Sequence, residues 1–169
     1  MTDVKQSRIL VVDDNPNIVL MLAGLLESNG FQVLTAAGGE TAIDCAVTEQ
    51  PDLILLDIRM PDLDGTIVFS TFRQISQTCR IPVIFLTGYD PSERHERIME
   101  IGFCDLLRKP IDPVELLVRI RAMLQTSHIE DKDEHHKQYI EAMKVLRAQG
   151  GRSTPHGPKP DRLDSQPSG

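Results

Sequence analysis

Apolar residues in this chain fall into two alternating patterns. One is the short unbroken run: Ile9-Leu10-Val11-Val12, Leu53-Ile54-Leu55-Leu56 and Val83-Ile84-Phe85-Leu86, with Val33-Leu34 and Leu106-Leu107 as shorter cases. Runs without a polar residue at every second place suit strands covered on both faces, as in a parallel sheet. The other pattern is helical spacing between those runs: Ile18, Leu22, Leu25 and Leu26; Ala42, Ile43, Ala46 and Val47; Ile67, Val68, Phe72 and Ile75; Leu116, Leu117, Ile120 and Leu124. A fourth helix, over 91–101, is the most polar. Turn-forming residues mark the boundaries. Asn15-Pro16 and Asp112-Pro113 open helices, Asn29-Gly30 and Gly102 close them, and Pro51 and Pro61 bracket the third strand.

Five strands, predicted at 8–12, 31–36, 52–57, 81–87 and 103–108, thus alternate with five helices. Right-handed crossovers then place helices on both faces of a parallel sheet. The expected fold class is α/β, a (βα)5 flavodoxin-like doubly wound sheet with strand order 2-1-3-4-5. Beyond it, Ser127 with Glu130 reads as a capping box. A helix should follow to about residue 149, with a narrow stripe of Tyr139, Ile140, Met143 and Leu146. Gly, Pro, Ser and charged residues dominate from Gly150 on, which predicts disorder. The expected organisation is residues 8–125 as one domain, 126–149 as a helical extension and 150–169 as a disordered tail. The stripe fits a packing helix or linker better than a specific interface.

Composition narrows the function. The formal charge is −7. From Thr126 onward seven acids balance seven bases, so the excess belongs to the α/β domain and argues against a nucleic-acid surface. No stretch approaches the roughly 20 apolar residues of a membrane span, and the first eight residues lack a signal-peptide pattern. Cys45, Cys79 and Cys104 show no metal-ligand spacing and read as buried free thiols in a reducing cytoplasm. His95, His135 and His136 are expected on charged helix faces.

The chemistry is concentrated where the strands end. The first ends at Asp13-Asp14, the third at Asp57, the fourth at Thr87 and the fifth at Lys109. In a parallel sheet these ends share one rim. A lone acid after a strand is usually a cap, and Asp13-Asp14 before Pro16 could be a cap pair. Several carboxylates meeting there repel unless a proton or cation compensates. Hard oxygen donors suit Mg²⁺, and a lysine with a hydroxyl suits phosphate oxygens.

Val11-Val12-Asp13-Asp14, the stretch from Leu56 to Gly65 (LDIRMPDLDG), Leu86-Thr87-Gly88 and Arg108-Lys109-Pro110 resemble the receiver domain of two-component response regulators, chemotaxis regulators among them. The resemblance covers about 8–125. It implies that Asp57 is the phosphoacceptor, receiving phosphate from a histidine kinase or phosphotransfer protein. It implies Mg²⁺ ligation by Asp14, Asp57 and the Arg59 carbonyl, with Asp13 nearby. Thr87 would be the switch hydroxyl, Lys109 the phosphate-pairing ammonium, and Lys109-Pro110 a cis bond. Three positions depart from or qualify the pattern: Leu106 stands where the family usually has an aromatic switch residue, and Arg59 and Tyr89 flank the path of attacking water. Asp105 with Arg119 and Arg121 resembles the face of helix 4, strand 5 and helix 5 through which many receivers dimerise.

With no recognisable output motif after Gln125, the resemblance predicts a non-enzymatic regulator acting on a downstream protein effector by contact. A haloacid-dehalogenase-type phosphatase would share an aspartyl phosphate, Mg²⁺, a Thr and a Lys. It requires a second acid two residues after the nucleophile, where this chain has Arg59. A scaffold with a degenerate site is the third reading, weakened because every site residue is present.

Overall fold

The computed structural model describes residues 5–88 and 93–150. Its elements follow the order β1 (Arg8–Val12), α1 (Pro16–Ser28), β2 (Gln32–Ala36), α2 (Gly39–Glu49), β3 (Leu53–Asp57), α3 (Gly65–Gln74), β4 (Val83–Thr87), α4 (Glu93–Ile101), β5 (Cys104–Arg108), α5 (Pro113–Thr126) and α6 (Lys132–Gly150). The strands form one parallel sheet in the order β2-β1-β3-β4-β5, as expected. The disorder expected for 150–169 concerns residues that, Gly150 apart, lie outside the described ones, as does Tyr89.

Unbroken apolar strands serve two cores at once, because successive side chains point to opposite faces. Leu10, Val12, Ile54, Leu56, Val83 and Phe85 face α2, α3 and α4, whose Ala42, Ala46, Val68, Phe69, Phe72 and Ile98 are buried there. Ile9, Val11, Leu53, Leu55, Ile84 and Leu86 face α1 and α5. Three helices are capped by the polar residues that precede them: Asn15, Asp64 and Asp112 each accept a backbone N–H two positions on.

Some expectations need correction. In α3 Val68 and Phe72 are buried as expected, but Phe69 joins them while Ile67 is 53% exposed, so the stripe is rotated by only part of a turn from the sequence reading. Only Cys104 is fully buried among the cysteines; Cys45 and Cys79 are intermediate. Ser127 does not cap α6. Its hydroxyl donates back to the Leu124 carbonyl, and Asp131 instead accepts the Glu134 N–H.

The extension folds back onto the domain. α6 lies along α5 and buries Tyr139 and Met143 in the same core that α1 and α5 complete. His135, expected on a charged surface, is 3% exposed. It sits 4.8 Å from the Phe103 ring, with Nε2 3.2 Å from the Thr126 hydroxyl oxygen. That hydroxyl donates to the Ala122 carbonyl, so the contact is best made by an Nε2–H tautomer.

Candidate functional site

β1, β3 and β5 deliver the site because parallel strands all end on one rim. Asp57 is the last residue of β3 and pairs in register with Leu86, one before Thr87. Asp13 and Asp14 follow β1 directly, and Lys109 follows β5. Carboxylate oxygens of Asp13, Asp14 and Asp57 lie within 4.8 Å of one another. Asp13 and Asp57 are buried, and Asp14 is exposed at the mouth. The Lys109 ammonium reaches across them, 3.1 Å from Asp13 Oδ2 and 3.3 Å from Asp57 Oδ1. Asp13 does keep a turn role: its other oxygen accepts the Asn15 N–H at 2.9 Å, while Asn15 itself caps α1. Cap and cluster coexist on one carboxylate.

Thr87 is buried at the end of β4, and its carbonyl accepts the Lys109 backbone N–H at 2.7 Å, which ties the ends of β4 and β5 together. The Lys109-Pro110 bond is cis. Arg59 is exposed two residues beyond Asp57. Leu106 is half-buried on β5, packed against the core on the α3/α4 side of the sheet. Arg119 does pair with Asp105 at 2.7 Å, but Arg121 turns elsewhere, toward Asn29 on the other side of α5.

Burial raises the Asp57 pKa to about 6, and repulsion from Asp13 adds to it; Lys109 and the Arg59 backbone N–H pull it back. Burial alone would lower the Lys109 pKa, but the Asp13 hydrogen bond and the fields of both acids outweigh it and leave it raised. Three carboxylates against one ammonium carry an excess of negative charge, which makes the ionised form of Asp57 harder to hold and shows as its raised pKa. A hard divalent cation meets the same excess with charge, and the all-oxygen donor set fits Mg²⁺.

The linkage has a definite sign. A folded-state pKa above the unfolded 3.8 means the folded chain holds a proton that the unfolded chain releases. The resulting stability is fully present below about pH 4 and is lost as pH rises through about 6. In metal-free buffer, isosteric Asp57→Asn is therefore expected to be about 2 kcal/mol more stable than the parent at pH 8 and nearly equal at pH 4. Urea unfolding at both pH values checks this; a gain of equal size at pH 4 counts against it.

The loop after Asp57 is held by residues that a linear reading treats only as turn formers. Asp62 accepts the Gly39 and Glu40 N–H groups at the start of α2, at 3.2 and 3.3 Å, which lowers its pKa. Gly65 donates its N–H to the Ile58 carbonyl at 2.7 Å and packs flat on the backbone of Asp57 and Ile58. The one signal in the sequence is the crowding of Asp62, Asp64 and Gly65 directly after the nucleophile candidate.

Comparisons with known proteins agree in kind. Residues 9–121 match the family model described as the response regulator receiver domain. The alkaline phosphatase synthesis transcriptional regulatory protein PhoP of Bacillus subtilis is 42% identical over 124 residues, covering 72% of this chain and 50% of PhoP. The transcriptional regulatory protein CpxR of Escherichia coli is 38% identical over 129 residues, covering 76% of this chain and 54% of CpxR. The chain spans about half the length of these two curated relatives. Among solved structures, the Vibrio cholerae chemotaxis protein CheY4 superposes with TM-score 0.66 at 30% identity, over 70% of this chain and 98% of that one. A CheY-like receiver domain protein of Methanospirillum hungatei gives TM-score 0.69 at 28% identity, over 75% and 100%.

Proposed function

We propose a function from the premise that this chain belongs to the response regulator receiver domain family: Asp57 takes a phosphoryl group from a phosphohistidine, and the domain changes its partner-binding surface in response. The donor would be a histidine kinase or phosphotransfer protein, and the readout a downstream protein effector. Residues 8–125 form the receiver unit and 126–149 its extension. The observation that carries the reading is the Lys109 ammonium bridging Asp13 and Asp57, residues 96 and 52 positions away, beside the exposed carboxylate of Asp14.

In this mechanism an ionised Asp57 oxygen attacks phosphorus in line; the phosphorus–nitrogen bond breaks, the imidazole departs and an aspartyl phosphate remains. Asp13, Asp14, Asp57 and the Arg59 carbonyl would hold Mg²⁺, which supplies positive charge to the phosphoryl oxygens when bound. The ionised form of Asp57 is the competent one, and with a pKa of about 6 it predominates at neutral pH and above. Lys109 is placed to exchange one carboxylate oxygen for a phosphoryl oxygen. Thr87, on the adjacent strand end, is the candidate switch hydroxyl. Leu106 offers no ring to rotate, so the response must travel by another part of β5. Arg59 stands where a phosphatase of the dehalogenase type needs its second acid, which favours holding the phosphate over multiple turnover.

The test is incubation with Mg²⁺ and a small-molecule phosphodonor, followed by intact-protein mass. A single hydroxylamine-labile adduct supports the reading, and the absence of any adduct defeats it. Arg59, exposed two residues beyond the nucleophile at the position that the family resemblance sets beside attacking water, should also govern how long the adduct lasts. Arg59→Ala is expected to shorten the half-life severalfold, followed by mass spectrometry over time; an unchanged half-life removes Arg59 from the water path.

A further inference from the structure

β5 is an edge of the sheet, and an edge strand must be paired, charged or covered. Here α6 takes part in the covering, and its anchors are specific. The Tyr139 hydroxyl, on a side chain 4% exposed, donates to Asp105 Oδ2 near the start of β5. The same oxygen receives Arg119 Nη1 of α5, which also donates to the Leu106 carbonyl at 3.1 Å. The other Asp105 oxygen accepts the Leu106 N–H at 2.7 Å. Further along, Arg147 of α6 joins Glu115 of α5, which also holds Arg119. At the other end His135 rests on Phe103, the residue leading into β5.

The strand that α6 grips is the one that positions Lys109. Asp105 and Lys109 are four residues apart, about 13 Å along an extended strand. Lys109 is bonded to Asp13 and Asp57 while Asp57 is unmodified. A phosphoryl group on Asp57 would add nearly two negative charges and strong acceptor oxygens, a competing partner for the Lys109 ammonium at the end of β5.

Resting on the receiver reading, we propose that α6 is an autoinhibitory cover. It is docked on β5 and α5 while Asp57 is unmodified, loosened when Asp57 carries a phosphoryl group, and its release opens the Asp105–Arg119–Glu115 surface to a protein partner. The docked contacts belong to the unmodified position of β5, which gives α6 a differential affinity for the two states. Linkage is reciprocal, so docked α6 opposes phosphorylation by the same factor.

The test uses the full chain and amide hydrogen exchange, with beryllium fluoride and Mg²⁺ standing in for the phosphoryl group. Exchange over 132–150 should accelerate about fivefold or more, the lower end of ordinary allosteric coupling, while β1 stays protected. Tyr139→Phe and Met143→Ala should accelerate it without the mimic and raise the equilibrium level of Asp57 adduct under a limiting donor. Val145→Ala, on the exposed side of α6, should behave as the parent. Should Tyr139→Phe fold poorly, Met143→Ala carries the same comparison. If the adduct forms but α6 exchange is unchanged or slowed by the mimic, the coupling is overturned and the receiver reading stands. If no Asp57-dependent adduct forms, both fall.

Discussion

Asp57→Asn should abolish phosphoryl transfer to the chain while leaving it folded, and more stable above about pH 6 in metal-free buffer. The amide fits the same volume and can still accept from Lys109 Nζ, now 3.3 Å from Asp57 Oδ1, and from the Arg59 backbone N–H. What it lacks is an anionic oxygen able to attack phosphorus. Activity and stability therefore move in opposite directions from one substitution, the signature of a group held in a costly state for its chemistry. Intact mass after incubation with a phosphodonor and Mg²⁺ reads the first effect, and the expected adduct is nil. Asp14→Asn supplies the contrast. It keeps the nucleophile but removes the exposed carboxylate of the cluster, so it should slow labelling and raise the Mg²⁺ concentration required, without eliminating the adduct. An Asp57→Asn chain that still labels in full would place the phosphoacceptor elsewhere.

Gly65→Ala is expected to cost about 3 kcal/mol, the upper part of the range for overpacking, and to depress labelling as well. A Cβ at this position would stand 2.3 Å from the Asp57 carbonyl oxygen and 2.8 Å from the Ile58 Cα. Both obstacles are backbone, which cannot swing aside as a long side chain can, and both belong to the segment that aims the nucleophile. Relief requires moving the start of α3 away from β3, which breaks the Gly65 N–H bond to Ile58 and shifts Asp57 itself. Gly24→Ala is the control. It lies within α1, where an added Cβ would meet nothing within 4 Å, so it should gain up to about 1 kcal/mol from helix propensity. Urea denaturation of the two variants separates close approach from the ordinary cost of losing a glycine. Equal stabilities would mean that the α3 start yields freely.

The fold was legible because its signals were local. Unbroken runs such as Leu53 to Leu56 identify doubly covered strands, and Asn15-Pro16 and Asp112-Pro113 mark the helices they open. The meeting of Asp13, Asp57 and Lys109 followed from topology alone, since parallel strands put their carboxyl ends together. Features that depend on non-local contact were not legible. Ile67 and Phe69 both fit an apolar stripe in a ten-residue helix, and only the position of Phe85 against Phe69, 5.1 Å between ring centres, decides which one is inside. His135 sits among charged neighbours in sequence, and its burial needs Thr126 of α5 and Phe103 just before β5. Tyr139 marked a stripe, yet its hydroxyl partner on β5 lies 34 residues away. Gly65 looked like a turn glycine because the backbone it touches is invisible in a linear pattern.

Tethers on the segment from Asp57 to Gly65 bear on how tightly a cation can be held. Asp62 fastens it to the start of α2, and Gly65 fastens it to Ile58, before any ion arrives. Ordering a free residue costs on the order of 1 kcal/mol, so a loose loop would subtract several such amounts from cation affinity. This loop is preorganised, and the entropy was surrendered during folding. Cutting the Asp62 tether should thus appear mainly as weaker Mg²⁺ affinity, with the chemistry of the loaded site little altered.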